Sequence, residues 1–133
     1  INGGGLSDHP STFYDYYATV CEILGVKPPY PIDGISYYPS LIEKPQKKHD
    51  YLYWEFPAYG GQQAVRMDNW KGIKKNLFKG STPLALYDLS TDPKEQNNLA
   101  AQYPEIVQKI ENVMNQAHTT PKQEKFRIPI LEN

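Results

Sequence analysis

The run Leu84-Ala85-Leu86-Tyr87-Asp88-Leu89-Ser90-Thr91-Asp92-Pro93-Lys94-Glu95-Gln96-Asn97-Asn98-Leu99 constrains this chain more than any other stretch of it. Strand-like text ends in Asp88-Leu89, and a turn then follows almost letter by letter. Asp92 can accept hydrogen bonds from the backbone just ahead of it. Pro93 pre-sets φ for a first turn or a first helical position, and Glu95 sits where negative charge meets exposed amides. Asn97 and Asn98 can then stop or redirect the chain. On turn chemistry alone this is a strand-to-helix corner.

The 133 residues make one modest core's worth of material. Fourteen basic against fifteen acidic residues leave a net charge of -1, with no block of like charge, so neither nucleic acid nor an anionic membrane is favoured as a partner. No apolar run is long enough for a transmembrane helix, and no basic-then-apolar leader opens the chain. It begins Ile1-Asn2-Gly3-Gly4-Gly5 and reads as cut from something larger. A single cysteine, Cys21, excludes an internal disulfide. Eleven tyrosines and twelve prolines point to extended segments and corners, with tyrosine rings half-buried in a sheet or offered to sugars.

Periodicity divides the chain into segments. Residues 1–10 are Gly-rich loop. From Ser11 or Thr12 to Leu24, the set Phe13, Tyr16, Tyr17, Val20, Cys21, Ile23 and Leu24 fits a helical stripe, which Gly25 ends. A proline-punctuated connector over 26–39 carries the Asp33-Gly34 turn, and a short helical turn holds Leu41 and Ile42. After the polar stretch Glu43 to Asp50, strand signals come at Tyr51–Phe56, Gln62–Met67, Trp70–Lys75 and Leu84–Leu89. The short loops between them, including the Asp68-Asn69 turn, favour an antiparallel meander. Pro104 then starts a helix to Ala117 with Ile106, Ile110, Val113 and Ala117 on one face, beside Val107 and Met114. The expected fold is α+β: a four-stranded antiparallel sheet backed by this helix, with the segment from Thr119 extended over a surface.

The residues themselves assemble little chemistry. No Gly-rich phosphate cradle, H-E-x-x-H, G-x-S-x-G or paired-Cys motif occurs. His49 and His118 lie in polar stretches and read as solvated. No nucleophile, base and charge stabiliser fall together, so the chain by itself is expected to be catalytically silent, with no catalytic or metal-binding residue.

Five segments nevertheless resemble one family, in the family's order. Phe13 to Gly25 keeps Asp15 and Thr19 at the spacing of a D-x-x-P-T-L helix, with Ala18 where Pro is usual. Asp33-Gly34-Ile35-Ser36 with Pro39-Ser40-Leu41 resembles D-G-x-S-x-x-P-x-L. Tyr51 to Phe56 looks like a first subdomain strand, and Gln63-Ala64-Val65-Arg66 through Asn69-Trp70-Lys71 like an A-x-R-x-x-x-W-K hairpin. The opening run matches L-Y-D-L-x-x-D-P-x-E-x-x-N-L. Together they resemble the C-terminal region of the sulfatases.

That resemblance implies that residues 1–48 are the tail end of an alkaline-phosphatase-like catalytic domain, and residues 49–133 the C-terminal subdomain. It implies a missing N-terminal catalytic domain as partner, a sulfated small molecule or glycan as substrate, and calcium and formylglycine in the whole enzyme. A periplasmic or secreted location is implied likewise. The family's nucleophile motif, C/S-x-P-x-R, is not met here. Cys21 is followed by Glu22-Ile23-Leu24-Gly25 and reads as a buried structural thiol, and Ser81-Thr82-Pro83-Leu84-Ala85 has Ala85 where Arg is required. Asp8-His9, which looks like a metal pair, lies too close to the following helix and reads as leading into it, with Asp8 as capping acceptor. Asp68-Asn69 is a turn and no ligand pair.

The substrate-binding residues are expected in the loop Glu55 to Gln63. Gly60-Gly61 lets backbone approach a ligand, Tyr59 can stack on a sugar ring, and Glu55, Gln62 and Gln63 can fix hydroxyls. An ordinary hairpin loop beside a packed Trp54 is the competing description, and Arg66 and Trp70-Lys71 read as packing residues. A stand-alone carbohydrate- or protein-binding module is the rival to the enzyme reading.

Overall fold

The computed structural model describes residues 3–80 and 82–132, and the chain divides into two units, Ile1–His49 and Asp50–Asn133. In the first unit, helix α1 spans Asp15–Ile23 and a single turn, α2, spans Tyr38–Leu41. The helix begins later than its apolar text, at Asp15, because the Asp15 carboxylate folds back to accept the Thr12 amide at 2.9 Å. Gly25, at φ +66°, ends it as expected, with the Val26 amide closing on the Cys21 carbonyl at 3.0 Å.

A carboxylate organises this unit. Asp15 is fully buried and its Oδ1 accepts from the Ile35 amide at 2.9 Å and from His49 Nε2 at 2.8 Å. One turn on, Thr19 Oγ1 donates to the Asp15 carbonyl at 2.8 Å and accepts the Tyr37 amide at 3.0 Å. The connector is thus pinned to α1 by two polar side chains four residues apart on one face. Gly34 sits so close that a Cβ there would lie 2.3 Å from the Tyr14 carbonyl oxygen, which no rearranged side chain can relieve. The apolar stripe points the other way: Phe13, Tyr16, Tyr17, Ile23 and Leu24 are exposed, and Cys21 alone of that set is buried. The sequence pattern therefore located the helix, while the face turned into this unit is the polar one.

The second unit is a four-stranded antiparallel sheet in the order β1 (Leu52–Phe56), β2 (Gln62–Met67), β3 (Trp70–Lys75) and β4 (Ala85–Asp88). Asp68, at φ +52°, makes the tight turn that sets Met67 opposite Trp70. Helix α3 (Pro104–Ala117) lies on one face of the sheet, as its stripe requires. Ile110 and Met114 close against Val65, Leu84 and Leu86, flanked by Ile106, Val107, Val113 and Met67. Trp70 packs its ring on Tyr103 at 4.9 Å, so the tryptophan is a packing residue. At about 25 cal/mol per Å² this apolar burial is the unit's main driving force.

Of the two roles open to Pro93, the chain takes the turn and not the first helical position; it runs through turns until Pro104, where the helix starts as expected. Glu95 is left-handed, at φ +55°, and its carboxylate pairs with Lys71 Nζ at 2.5 Å, leaving the exposed amides to another group. That group is Asp92, whose Oδ2 accepts from the Gln96 and Asn97 amides, both at 2.8 Å. Asn98 redirects the chain by accepting the Leu86 and Ala100 amides on one oxygen, each at 3.0 Å. The segment after α3 also differs from expectation. It contains short 3₁₀ turns at Glu124–Phe126 and Pro129–Leu131, and it buries Ile128 completely.

Asn98→Ala removes the acceptor of a buried strand amide while leaving the apolar core intact. We expect it to lower unfolding free energy by about 1–3 kcal/mol, measured as a lower urea midpoint at unchanged m-value; an unchanged midpoint would show that water replaces the amide oxygen.

Candidate functional site

The β1–β2 hairpin divides the six residues expected to touch substrate. Glu55 pairs with Gln63 and Phe56 with Gln62 across the strands, so alternation turns Glu55 and Gln63 to the α3 face and Gln62 to the other. Gln63 is buried. Its Nε2 donates to the Tyr53 hydroxyl at 2.8 Å, and that hydroxyl donates to Glu55 Oε2 at 2.5 Å. Burial pushes the Tyr53 hydroxyl well above the ordinary phenol range; the Gln63 hydrogen bond opposes this and Glu55 reinforces it. These two residues belong to a packed polar chain and are not at the loop's tip.

The tip is made of Tyr59 and Gly60. Tyr59 is 84% exposed, at φ +51°, and its ring lies 6.1 Å from that of Phe56, also exposed. Gly61, at φ +78°, is buried, and a Cβ there would meet Leu77, Phe78 and Ile128 at 3.3–3.4 Å. Its backbone thus approaches the protein's own side chains. The hairpin offers a ligand an exposed aromatic pair and the half-buried Gln62.

Both histidines expected to be solvated are paired. His49 Nε2 lies 2.8 Å from Asp15, and His118 Nδ1 lies 2.8 Å from Glu55 Oε2. Their partners stand 34 and 63 residues away, which no local pattern reveals. Asp8 is exposed and caps nothing; Asp15 does that work on Thr12. Both ring nitrogens of His9 are buried without a hydrogen-bond partner, and burial lowers its pKa, partly opposed by Asp15. Cys21 is a buried free thiol, as expected. Ser81 lies outside the described residues. Among the described residues, no three His, Cys, Asp or Glu side chains gather to hold a metal ion, and no helix is long and apolar enough to cross a membrane.

The sheet face opposite α3 carries a depression of about 590 Å³ lined by Trp54, Ala64, Arg66, Lys71, Ile73, Leu89, Pro93 and Glu95. None of the six expected residues lines it. The Lys71–Glu95 pair lies in its wall, joining the W-K hairpin to the D-P-x-E corner.

The model of the family described as N-sulphoglucosamine sulphohydrolase, C-terminal, matches residues 6–120. The chain belongs to the sulfatase family, as its C-terminal region. It is 30% identical over 118 residues to arylsulfatase K of Bos taurus, a match covering 81% of this chain and 22% of that protein. An N-acetylgalactosamine-6-O-sulfatase of Bacteroides thetaiotaomicron is 47% identical over 121 residues, covering 79% of this chain and 23% of that one. Among solved structures, a 2-O GAG sulfatase superposes with a TM-score of 0.66 at 26% identity, over 77% of this chain and 23% of its own. This sulfatase-family chain therefore spans 19–24% of the length of the curated relatives it matches.

Gly61→Ala adds a Cβ at positive φ against three packed side chains, so we expect a loss of about 1–2 kcal/mol. Tyr59→Ser, at the exposed tip, should stay within about 0.5 kcal/mol of the parent. Thermal unfolding of both variants checks the difference.

Proposed function

We propose that this chain is the C-terminal part of a sulfuric ester hydrolase that acts on a sulfated saccharide, and that it supplies a wall of the substrate pocket. The observation that carries this reading is the family match over residues 6–120, joined to 47% identity with a sulfatase whose name specifies a sulfated amino sugar. In this reading residues 1–48 end the catalytic domain and residues 49–133 form the subdomain; the unit boundary after His49 supports it. The nucleophile (formylglycine in this family) and calcium belong to the remaining length. The described residues offer no donor set for such a metal, and no step of the reaction is assigned to them.

Within the chain, the residues proposed to face substrate are Tyr59, Gly60 and Gln62, with Glu55, Gly61 and Gln63 holding them in place. Exposed aromatic rings beside an amide suit a sugar ring and its hydroxyls. The apolar side of α1 is proposed to be covered by the rest of the catalytic domain, since Phe13, Tyr16, Tyr17, Ile23 and Leu24, all at or beside this one helix, are exposed to water.

Two measurements test this reading. In the whole enzyme, Gln62→Ala should lower kcat/KM on the natural substrate roughly 5- to 150-fold, the kinetic equivalent of about 1–3 kcal/mol for one lost hydrogen bond. Wild-type kcat/KM in both Gln62→Ala and Tyr59→Ala would reduce the hairpin to a connection. For α1, the isolated chain should bind a hydrophobic dye and associate with rising concentration, and Leu24→Glu should suppress both. A chain that stays monomeric and dye-free would remove the case for a covering domain.

A further inference from the structure

A chain of polar side chains runs beside the end of α3, from Gln63 through Tyr53 and Glu55 to His118 and Glu132, and the position of each hydrogen along it is forced. Gln63 Nε2 faces the Met114 carbonyl at 3.5 Å as well as the Tyr53 hydroxyl at 2.8 Å, so it is the donating end of that amide. Tyr53 therefore donates onward to Glu55 Oε2. A carboxylate accepts only, so His118 Nδ1, 2.8 Å from the same oxygen, carries a hydrogen too. The proton that can come and go is the one on Nε2.

His118 Nε2 faces Glu132 Oε1 at 3.7 Å, and both atoms are buried without a hydrogen-bond partner. A neutral imidazole sets two lone pairs against each other across this gap. An imidazolium turns the same gap into a charged contact, with a carboxylate on each ring nitrogen. The groups facing the ring are Glu55 on β1, backed by Tyr53 and by Gln63 on β2, and Glu132 beyond α3; among the described residues neither carboxylate has another cationic partner. Glu132 follows the Pro129–Leu131 turn, itself anchored by the buried Ile128.

We propose that His118 is a proton-operated latch on the segment 129–132. Protonation at Nε2 draws Glu132 onto the ring. Loss of that proton lets the turn lift away, while Ile128 stays seated. The closed form binds one proton more than the open form, so closure is favoured at low pH and weakens as pH rises. The device shares Glu55 and Gln63 with the base of the proposed saccharide site, but it rests on the geometry of this polar chain and is read without activity.

Amide hydrogen exchange in the whole protein tests it. The Leu131 and Glu132 amides, bonded to the Ile128 and Pro129 carbonyls at 2.9 and 3.3 Å, should lose roughly fivefold or more of their protection between about pH 5 and about pH 8, after correction for intrinsic rates. Glu132→Gln supplies an N–H that can donate to neutral Nε2, so this variant should keep its protection at the higher pH. Flat protection in the parent, or parent-like pH dependence in Glu132→Gln, would overturn the latch. The ¹⁵N spectrum of His118 gives a second readout: the neutral ring should be the Nδ1–H tautomer, and an Nε2–H tautomer would overturn the proposal without any variant.

Discussion

Everything in the second unit depends on how the chain returns after β4. The strand could end in any direction; it is turned back because Asn98 places one amide oxygen between the Leu86 and Ala100 N–H groups, while the Leu99 amide bonds the Leu86 carbonyl at 2.8 Å. Those bonds satisfy the outer edge of β4 at its most buried residue and bring Pro104 to the face on which α3 must lie. Asp92 satisfies the amides of the corner itself, and Glu95 ties it to β3 through Lys71. The amides of Leu86, Glu95, Gln96, Asn97, Leu99 and Ala100 thus each have an acceptor, as backbone that leaves a sheet requires.

The first unit inverts the usual distribution. Its buried side chains on α1 are Asp15, Thr19 and Cys21, while Tyr16, Tyr17 and Ile23 are exposed beside Glu22. A buried carboxylate is tolerable because it accepts three hydrogen bonds, from Thr12, Ile35 and His49, and so acts as a junction for a connector with no regular structure of its own. The outward apolar stripe has no such internal explanation. In the proposed reading it is an inward face of a larger protein, and the helix is amphipathic with respect to a partner.

At the hairpin, one strand-pair register separates support from display. Glu55 and Gln63 fall on the helix side, where Tyr53 and His118 occupy their polar atoms; Gln62, Phe56 and Tyr59 remain on the side that a ligand can reach. The polar chain beneath holds the ends of β1 and β2 at fixed spacing, and Gly61 seats the loop on Leu77 and Ile128. A saccharide site on this hairpin would thus have a rigid base and an exposed rim.

Local text settled a good deal. Strands Gln62–Met67 and Trp70–Lys75, helix Pro104–Ala117, the glycine stop after α1 and the antiparallel order were legible, because side-chain period, turn residues and short loops act over a few positions. The motifs that gave the family away were legible for the same reason, and the structure supplies their physical sense in Asp15, Gly34, Lys71 with Glu95, and Asn98. What the sequence by itself left open was decided by partners far away along the chain. Only tertiary structure could bring His49 to Asp15 and His118 to Glu55, turn the polar face of α1 inward, or seat Ile128 in a core it reaches from beyond the last helix. A periodic pattern records that a segment has two faces; which one is buried depends on what the rest of the protein brings to it.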